Sequence, residues 1–227
     1  MNQLRSLGLI MDGNRRFARE HNLPLTEGHR LGFAKVKEVL GWAKKAGLKT
    51  VFLYAFSTEN WCRSKIEVAA LMLLLKKFLT DEVSKLIKNK TRLIFIGDLT
   101  RLPSRLKKLV DESMVATKEG KSLTLVIALS YGGRAEIVAA AKTFAARFQN
   151  NLQAGEKEFN QCLWTAGLPD PDLIIRTGGG ERLSNFLPWQ SVYSELHFTP
   201  TYWPALTRAE FEAIVANYHN RQRNFGR

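Results

Sequence analysis

The stretch "SLGLIMDGNRRFARE", residues 6–20, carries an apolar run directly into Asp12-Gly13-Asn14-Arg15-Arg16. A strand that is apolar at nearly every position, rather than at every second one, is covered on both faces, as strands of parallel sheets are. The same kind of run recurs as "TVFLYAF" at 50–56, "RLIFIGD" at 92–98, "LTLVIALS" at 123–130 and "DLIIRT" at 172–177, with a shorter "SELHF" at 194–198. Helical spacing fills the intervals. One helix is expected over 32–47, with Val36, Val39, Leu40 and Ala43 on one face and Gly47 at its end. A long one comes next over 64–88, another opened by Pro103 runs to 119, and another spans 134–148. Thr207 caps the last. No Pro/Gly/Ser-rich linker interrupts this alternation. The expectation is an α/β chain, one domain over 1–227, built on a mostly parallel six-stranded sheet surrounded by helices.

Bulk properties agree and narrow the function. The 227 residues are 45% hydrophobic, enough for a substantial core. Cys62 and Cys162 stand far apart in no metal spacing, so neither a disulfide framework nor a zinc site is expected, and a reducing compartment fits. The N-terminus has no signal-peptide pattern, and the longest apolar block, "VAALMLLL" at 68–75, is too short to span a bilayer. The expected location is cytoplasmic, at most peripheral at a membrane. A net charge of +13 points to anionic partners: nucleic acid, a membrane surface or a phosphate-bearing substrate. No RNA- or DNA-binding motif supports the first.

In parallel sheets, ligands bind beyond the carboxyl ends of the strands. The segments just past four of the strands are alike in kind: Asp12 to Arg16, "STENWCR" at 57–63, "YGGR" at 131–134 and "RTGGGERLSNF" at 176–186. Arginine forks and glycine amides suit phosphate oxygens. One carboxylate beside them suits magnesium, which takes one or two carboxylates with phosphate oxygens and water. Alone, Asp12-Gly13 would read as a turn. "GGG" at 178–180 lacks the order of a dinucleotide-binding turn, and there is no Walker lysine, nucleophile elbow, HExxH or DDxxD motif. The helix over 64–88 places Val68, Leu71, Met72, Leu75, Phe78 and Leu79 at helical spacing. Leu73 and Leu74 widen its apolar arc beyond one packing face. It reads either as a central core helix or as the wall of a greasy cavity, and the latter under a phosphate-binding edge would suit a lipid diphosphate.

With "MDGNRRFA" at 11–18, "GHRLG" at 28–32, "LYAFSTENWCRS" at 53–64, "YGGR" at 131–134, "PDLIIRTGGGERLSNFLPWQSVYSELHF" at 171–198 and "YWP" at 202–204, nearly the whole chain resembles the cis-prenyltransferase (undecaprenyl diphosphate synthase) family. That resemblance implies a hydrophobic tunnel, a homodimer, and sequential addition of isopentenyl diphosphate to an allylic diphosphate with a new cis double bond each time. It implies a product that partitions to a membrane. Residue by residue, it implies Asp12 as the Mg2+-binding carboxylate and Glu195 as a second metal-linked one. Gly13, Asn14, Arg15, Arg16, Phe17 and His29 would lie at the allylic diphosphate. Ser57, Thr58, Glu59, Asn60, Trp61 and Arg63 would form a mobile closing loop, with Asn60 catalytic beside Asp12. Arg176, Arg182 and Ser184 would hold isopentenyl diphosphate. Plainer roles stand beside these: His29 at a helix start, Trp61 in packing, Glu195 as a strand-end charge, Arg134 as an anchor of its own loop.

The chain departs from the family pattern at several positions. Arg15 replaces a frequent glycine and Phe17 a tryptophan. Leu25 replaces an arginine that contacts diphosphate, a loss Arg15 could offset. The usual Gly-Gly-Glu reads Gly178-Gly179-Gly180 with Glu181 following, Pro188 replaces a leucine, and Asn224-Phe225-Gly226 replaces Arg-Phe-Gly. Relatives that join two short allylic diphosphates head-to-middle share the leucine and the arginine pair but tend to lose the "ENW" loop kept here. Small Ala55 favours a long product. The expectation is therefore head-to-tail elongation, with a short-chain or head-to-middle enzyme as the alternative. A non-catalytic partner subunit is the alternative from another class.

Overall fold

The computed structural model describes residues 3–220, so Asn224-Phe225-Gly226 lies outside the described residues. Six strands form one sheet: β1 (Ser6–Ile10), β2 (Thr50–Ser57), β3 (Thr91–Ile96), β4 (Leu123–Tyr131), β5 (Leu173–Arg176) and β6 (Glu195–Phe198). Their order is β3-β4-β2-β1-β5-β6, and every pairing is parallel. All five residues of β1 are buried, as its unbroken apolar run requires. The two sheet faces feed two separate clusters. Leu7, Leu9, Val51, Leu53, Leu125 and Ile127 point into one. Ile10, Phe52, Val126, Ala128 and Ile174 point into the other, under Tyr131 and Phe186. Strict alternation of facing, with both faces dry, explains why the strands show no polar–apolar alternation.

Helices are α1 (Asn14–Glu20), α2 (Leu25–Lys45), α3 (Lys65–Asp81), α4 (Val83–Lys88), α5 (Ser104–Thr117), α6 (Gly133–Phe148), α7 (Glu156–Asn160) and α8 (Arg208–Asn220). The Thr207 cap holds: its Oγ1 accepts the Glu210 N–H at 3.2 Å. Three expectations need correction. The helix over 32–47 starts earlier, at Leu25 behind Pro24, with Glu27 in its first turn where acid suits the helix dipole. The segment 64–88 is two helices that break at Glu82, whose buried carboxylate is drawn to Lys37 at 2.6 Å and Lys85 at 3.1 Å. And Asn14 to Arg16 is not a loop but the first turn of α1, launched by Gly13 at φ +107.

β1 lies between β2 and β5, so the chain leaves the sheet centre in opposite directions there. The carboxyl end of β1 is thus the crevice where such sheets bind ligands. Asp12 stands in it.

Candidate active site

Asp12 follows β1 by two residues, and Gly13 turns the chain away at a φ that a side chain would resist. One carboxylate oxygen of Asp12 accepts the Gly13 N–H at 2.7 Å and lies 3.1 Å from Arg16 Nη2. The other accepts Arg176 Nη2 at 2.9 Å. Arg176 ends β5, in register with Ile10, and its side chain is only 5% exposed. Its Nη1 donates to Ser184 Oγ at 2.6 Å and to the Arg182 carbonyl. Its Nε is buried without a partner, as is Asn14 Oδ1. Burial alone would raise the Asp12 pKa, but the Arg176 hydrogen bond and the charges of Arg16 and Arg176 outweigh it and hold the carboxyl below its ordinary value. It is therefore ionised at neutral pH.

A second carboxylate gathers two more basic residues, Arg63 and Arg15, and a histidine. Glu67, in the first turn of α3, lies 2.8 Å from Arg63 Nη1, 3.2 Å from His29 Nε2 and 3.9 Å from Arg15 Nε. Arg15 and Arg16 are about 100° apart on α1, so neighbours in sequence serve two different carboxylates. Burial is the larger influence on His29 and holds its pKa below the usual value despite Glu67. A carboxylate only accepts, so Nε2 carries the proton of the neutral ring. Glu67 carries no functional signal in the sequence. Ser64-Lys65-Ile66-Glu67 reads there as a helix start, and the Glu67 N–H does reach Ser64 Oγ at 3.3 Å.

After β2 the chain makes a 3-10 turn, Thr58–Cys62. Asn60 Oδ1 accepts the Ser57 N–H at 3.1 Å, closing that turn. Glu59 accepts from Asn185 Nδ2 at 3.2 Å, and Asn185 Oδ1 accepts the Arg134 N–H at 2.9 Å. Asn185, which no sequence signal singles out, thereby joins its own loop to the turn after β2 and to the start of α6.

Many of these groups, though not Glu67, line one cavity of about 880 Å³. Its polar walls include Asp12, Asn14, His29, Ser57, Glu59, Asn60, Arg63, Arg134, Arg176, Arg182 and Ser184. Its apolar walls come from α2 (Phe33, Val36), α3 (Leu71, Met72, Leu74, Leu75, Phe78) and the strands (Leu53, Ala55, Ile127, Leu129). Leu74 thus faces the cavity, while Leu73 is 66% exposed to solvent.

The other expected site residues lie elsewhere. Gly13, Arg15, Arg16 and Thr58 flank the cavity without lining it. Phe17 stacks on His21, ring centroids 4.0 Å apart. Trp61 donates Nε1 to Ser130 Oγ at 2.9 Å and stays out of the lining. Glu195 pairs with Leu173, three residues before Phe198 reaches Arg176. That is about 10 Å short of the sheet edge, so Asp12 and Glu195 do not meet within one chain.

Among the described residues, no three His, Cys, Asp or Glu side chains form a metal-binding group. Asp12 alone fits a magnesium ion that completes its sphere with phosphate oxygens and water. The orphaned Arg176 Nε fits an arriving anion. An ionised carboxylate among arginines, in the wall of a largely apolar cavity, suits a ligand with an anionic head and a hydrocarbon tail.

Comparison with known proteins bears on that ligand. Residues 10–226 match the prenyltransferase family model described as undecaprenyl diphosphate synthase. The chain is 43% identical over 97% of its length to the farnesyl-diphosphate-specific ditrans,polycis-undecaprenyl-diphosphate synthase of Micrococcus luteus, covering 90% of that protein. It is 43% identical over 98% of its length to the geranylgeranyl-diphosphate-specific tritrans,polycis synthase of Thermoplasma volcanium, covering 89% of it. Among solved structures, lavandulyl diphosphate synthase from Lavandula x intermedia, in complex with dimethylallyl diphosphate, superposes with TM-score 0.93 at 33% identity, 97% of each chain covered.

Proposed function

We propose a reaction from one premise: the chain belongs to the undecaprenyl diphosphate synthase family of isoprenyl transferases. It transfers prenyl groups. The proposed reaction joins isopentenyl diphosphate head-to-tail to an allylic diphosphate of farnesyl or geranyl size, repeating to a long Z-polyprenyl diphosphate of undecaprenyl type. The observation that carries this reading is the Asp12–Arg176 pair in the wall of a largely apolar cavity.

The allylic C–O bond breaks and its electron pair leaves with the diphosphate. The isopentenyl double bond attacks the freed carbon, and a proton passes to a diphosphate oxygen. Gly13, Asn14, Arg16 and His29 would hold the allylic diphosphate, and Arg176, Arg182 and Ser184 the isopentenyl diphosphate. Arginine donors would stabilise the charge that builds on the leaving group. Magnesium held by Asp12 and diphosphate oxygens would supply further neutralisation of that charge. Asn60, an amide and a poor base, would orient groups at the cavity wall.

The whole chain would act as one domain. A homodimer would cover the edge beside β6, where Val192 is 70% and Tyr193 81% exposed. Sedimentation at micromolar concentration tests that. No helix among the described residues is long and apolar enough to cross a membrane. The product would leave for an anionic membrane surface.

The decisive assay supplies dimethylallyl, geranyl or farnesyl diphosphate with labelled isopentenyl diphosphate, with and without magnesium, and sizes the products. Long products that require magnesium support the reading. No prenyl product from any primer would sink it. A single condensation, or product from dimethylallyl diphosphate alone, would favour the short-chain or head-to-middle reading. The TM-score of 0.93 to lavandulyl diphosphate synthase, with Leu25 and Arg15, is the reason to include that primer.

A further inference from the structure

The turn Thr58–Cys62 supplies Glu59 and Asn60 to the cavity wall, and Arg63 follows it, yet none of its five residues is fully buried. A 3-10 turn this short has little stability of its own. Asn60 Oδ1 closes it at Ser57, Asn185 holds Glu59 and Glu67 holds Arg63, and a further set of contacts from outside converges on Trp61. Besides the hydrogen bond to Ser130 Oγ, the indole meets the ring of Phe56 edge-on at 4.9 Å. The guanidinium carbon of Arg101 lies 4.7 Å from its ring centroid.

We infer that Arg101 and Ser130 are positioning residues for the reaction proposed above: they grip Trp61 and so hold Glu59, Asn60 and Arg63 in the cavity wall. Ser130 is completely buried and adopts φ +50, a left-handed conformation disfavoured for serine. It sits where the β2–β4 ladder shifts register, between Phe56 and Ser57. Such a conformation persists only where the surroundings enforce it. Here it aims the hydroxyl at Trp61 while the Ser130 carbonyl accepts the Asp98 N–H at 3.2 Å. Asp98 in turn accepts from the Thr100 N–H at 3.1 Å, capping the turn Leu99–Arg101 that carries Arg101. The two grips are therefore parts of one assembly at the β3 and β4 ends, and Arg101 itself does not line the cavity.

The test measures amide hydrogen exchange by mass spectrometry alongside steady-state kinetics, on the full chain. Arg101→Ala is a surface change, so the variant should fold. Peptides covering 58–63 should exchange about two- to five-fold faster, the size of an exposed cation–π contact. Those in β4 should not change, and kcat/KM should fall by a similar factor. Arg101→Lys keeps a cation over the ring and should restore both. Ser130→Ala leaves the indole N–H without its acceptor and should raise exchange in the same peptides on the order of tenfold. Unchanged exchange over 58–63 in Arg101→Ala would overturn the inference, as would Arg101→Lys behaving like Arg101→Ala. Because exchange is read without substrate, local loosening in a chain that makes no prenyl product would leave the grip standing and count against the reaction instead.

Discussion

Asp12 accepts from a backbone amide and two arginines at once, so its charge and not its bulk defines the site. Asp12→Asn keeps the shape and removes the charge. Turnover is expected to fall about 100- to 1,000-fold, the usual range for losing one electrostatic contributor, while circular dichroism stays unchanged. Asn60 has a structural duty as well, since its Oδ1 closes the turn at Ser57. Asn60→Ala is expected to cost about 1 kcal/mol of stability by loss of that cap and to lower turnover further. Full turnover would leave it the cap alone. His29 sets a pH dependence. Its folded pKa lies below the ordinary histidine value of 6.5, so the unfolded chain binds the proton more tightly. Its contribution to stability is complete above about pH 6.5 and is lost as pH falls through the folded value. The urea midpoint should drop from about pH 7.5 to 5.5, and less in His29→Gln; equal drops would remove His29 from that account. Asp12 and Arg176 were legible because each follows an unbroken apolar strand. Glu67 was not, because its local pattern is that of a helix cap and its partners arrive from α1, α2 and the turn after β2.

Between elements, α1 and α2 approach closely through glycine. A Cβ on Gly32 would stand 2.0 Å from Asn14 Oδ1 and 3.0 Å from the Trp203 ring, so the amide that lines the cavity would have to move. Gly32→Ala is expected to cost about 1–3 kcal/mol by overpacking and to raise KM for the allylic substrate. Gly41, on the same helix, has nothing within 4 Å of its Cβ position. Gly41→Ala should stabilise by roughly 0.5–1 kcal/mol, the helix propensity difference. Thermal melts of the two variants check both signs. Strands were legible because burial on both faces leaves an unbroken apolar run, and long helices because period-3.6 burial leaves a residue pattern. α1 was hidden because Asp-Gly-Asn is also a turn signal. The α3–α4 break was hidden because Lys37, which draws Glu82 inward, lies 45 residues away on α2.

At the scale of the molecule, the cavity belongs to no single element: α2, α3, β2 and β4 each give it a wall. Product length should depend on how far a chain can grow between those walls. Ala55→Leu and Leu75→Trp both add bulk to the lining and are expected to shorten the product distribution, read by chromatography of the dephosphorylated lipids. An unchanged distribution in both would mean that the growing chain runs elsewhere. The sequence by itself determined five apolar strands and a shorter sixth, the parallel class of the sheet, and the phosphate-suited character of the segments after β1, β2, β4 and β5. Local periodicity encodes burial, and polar residue types encode chemistry. Only the tertiary structure decided which side chains meet. It split Arg15 and Arg16 between two carboxylates, joined Asp12 to Arg176 across 164 residues, set Glu195 below the sheet edge and turned Trp61 onto Ser130 and Arg101. Those outcomes depend on strand order, register and helix rotation, which arise from packing over the whole chain and leave no local pattern to read.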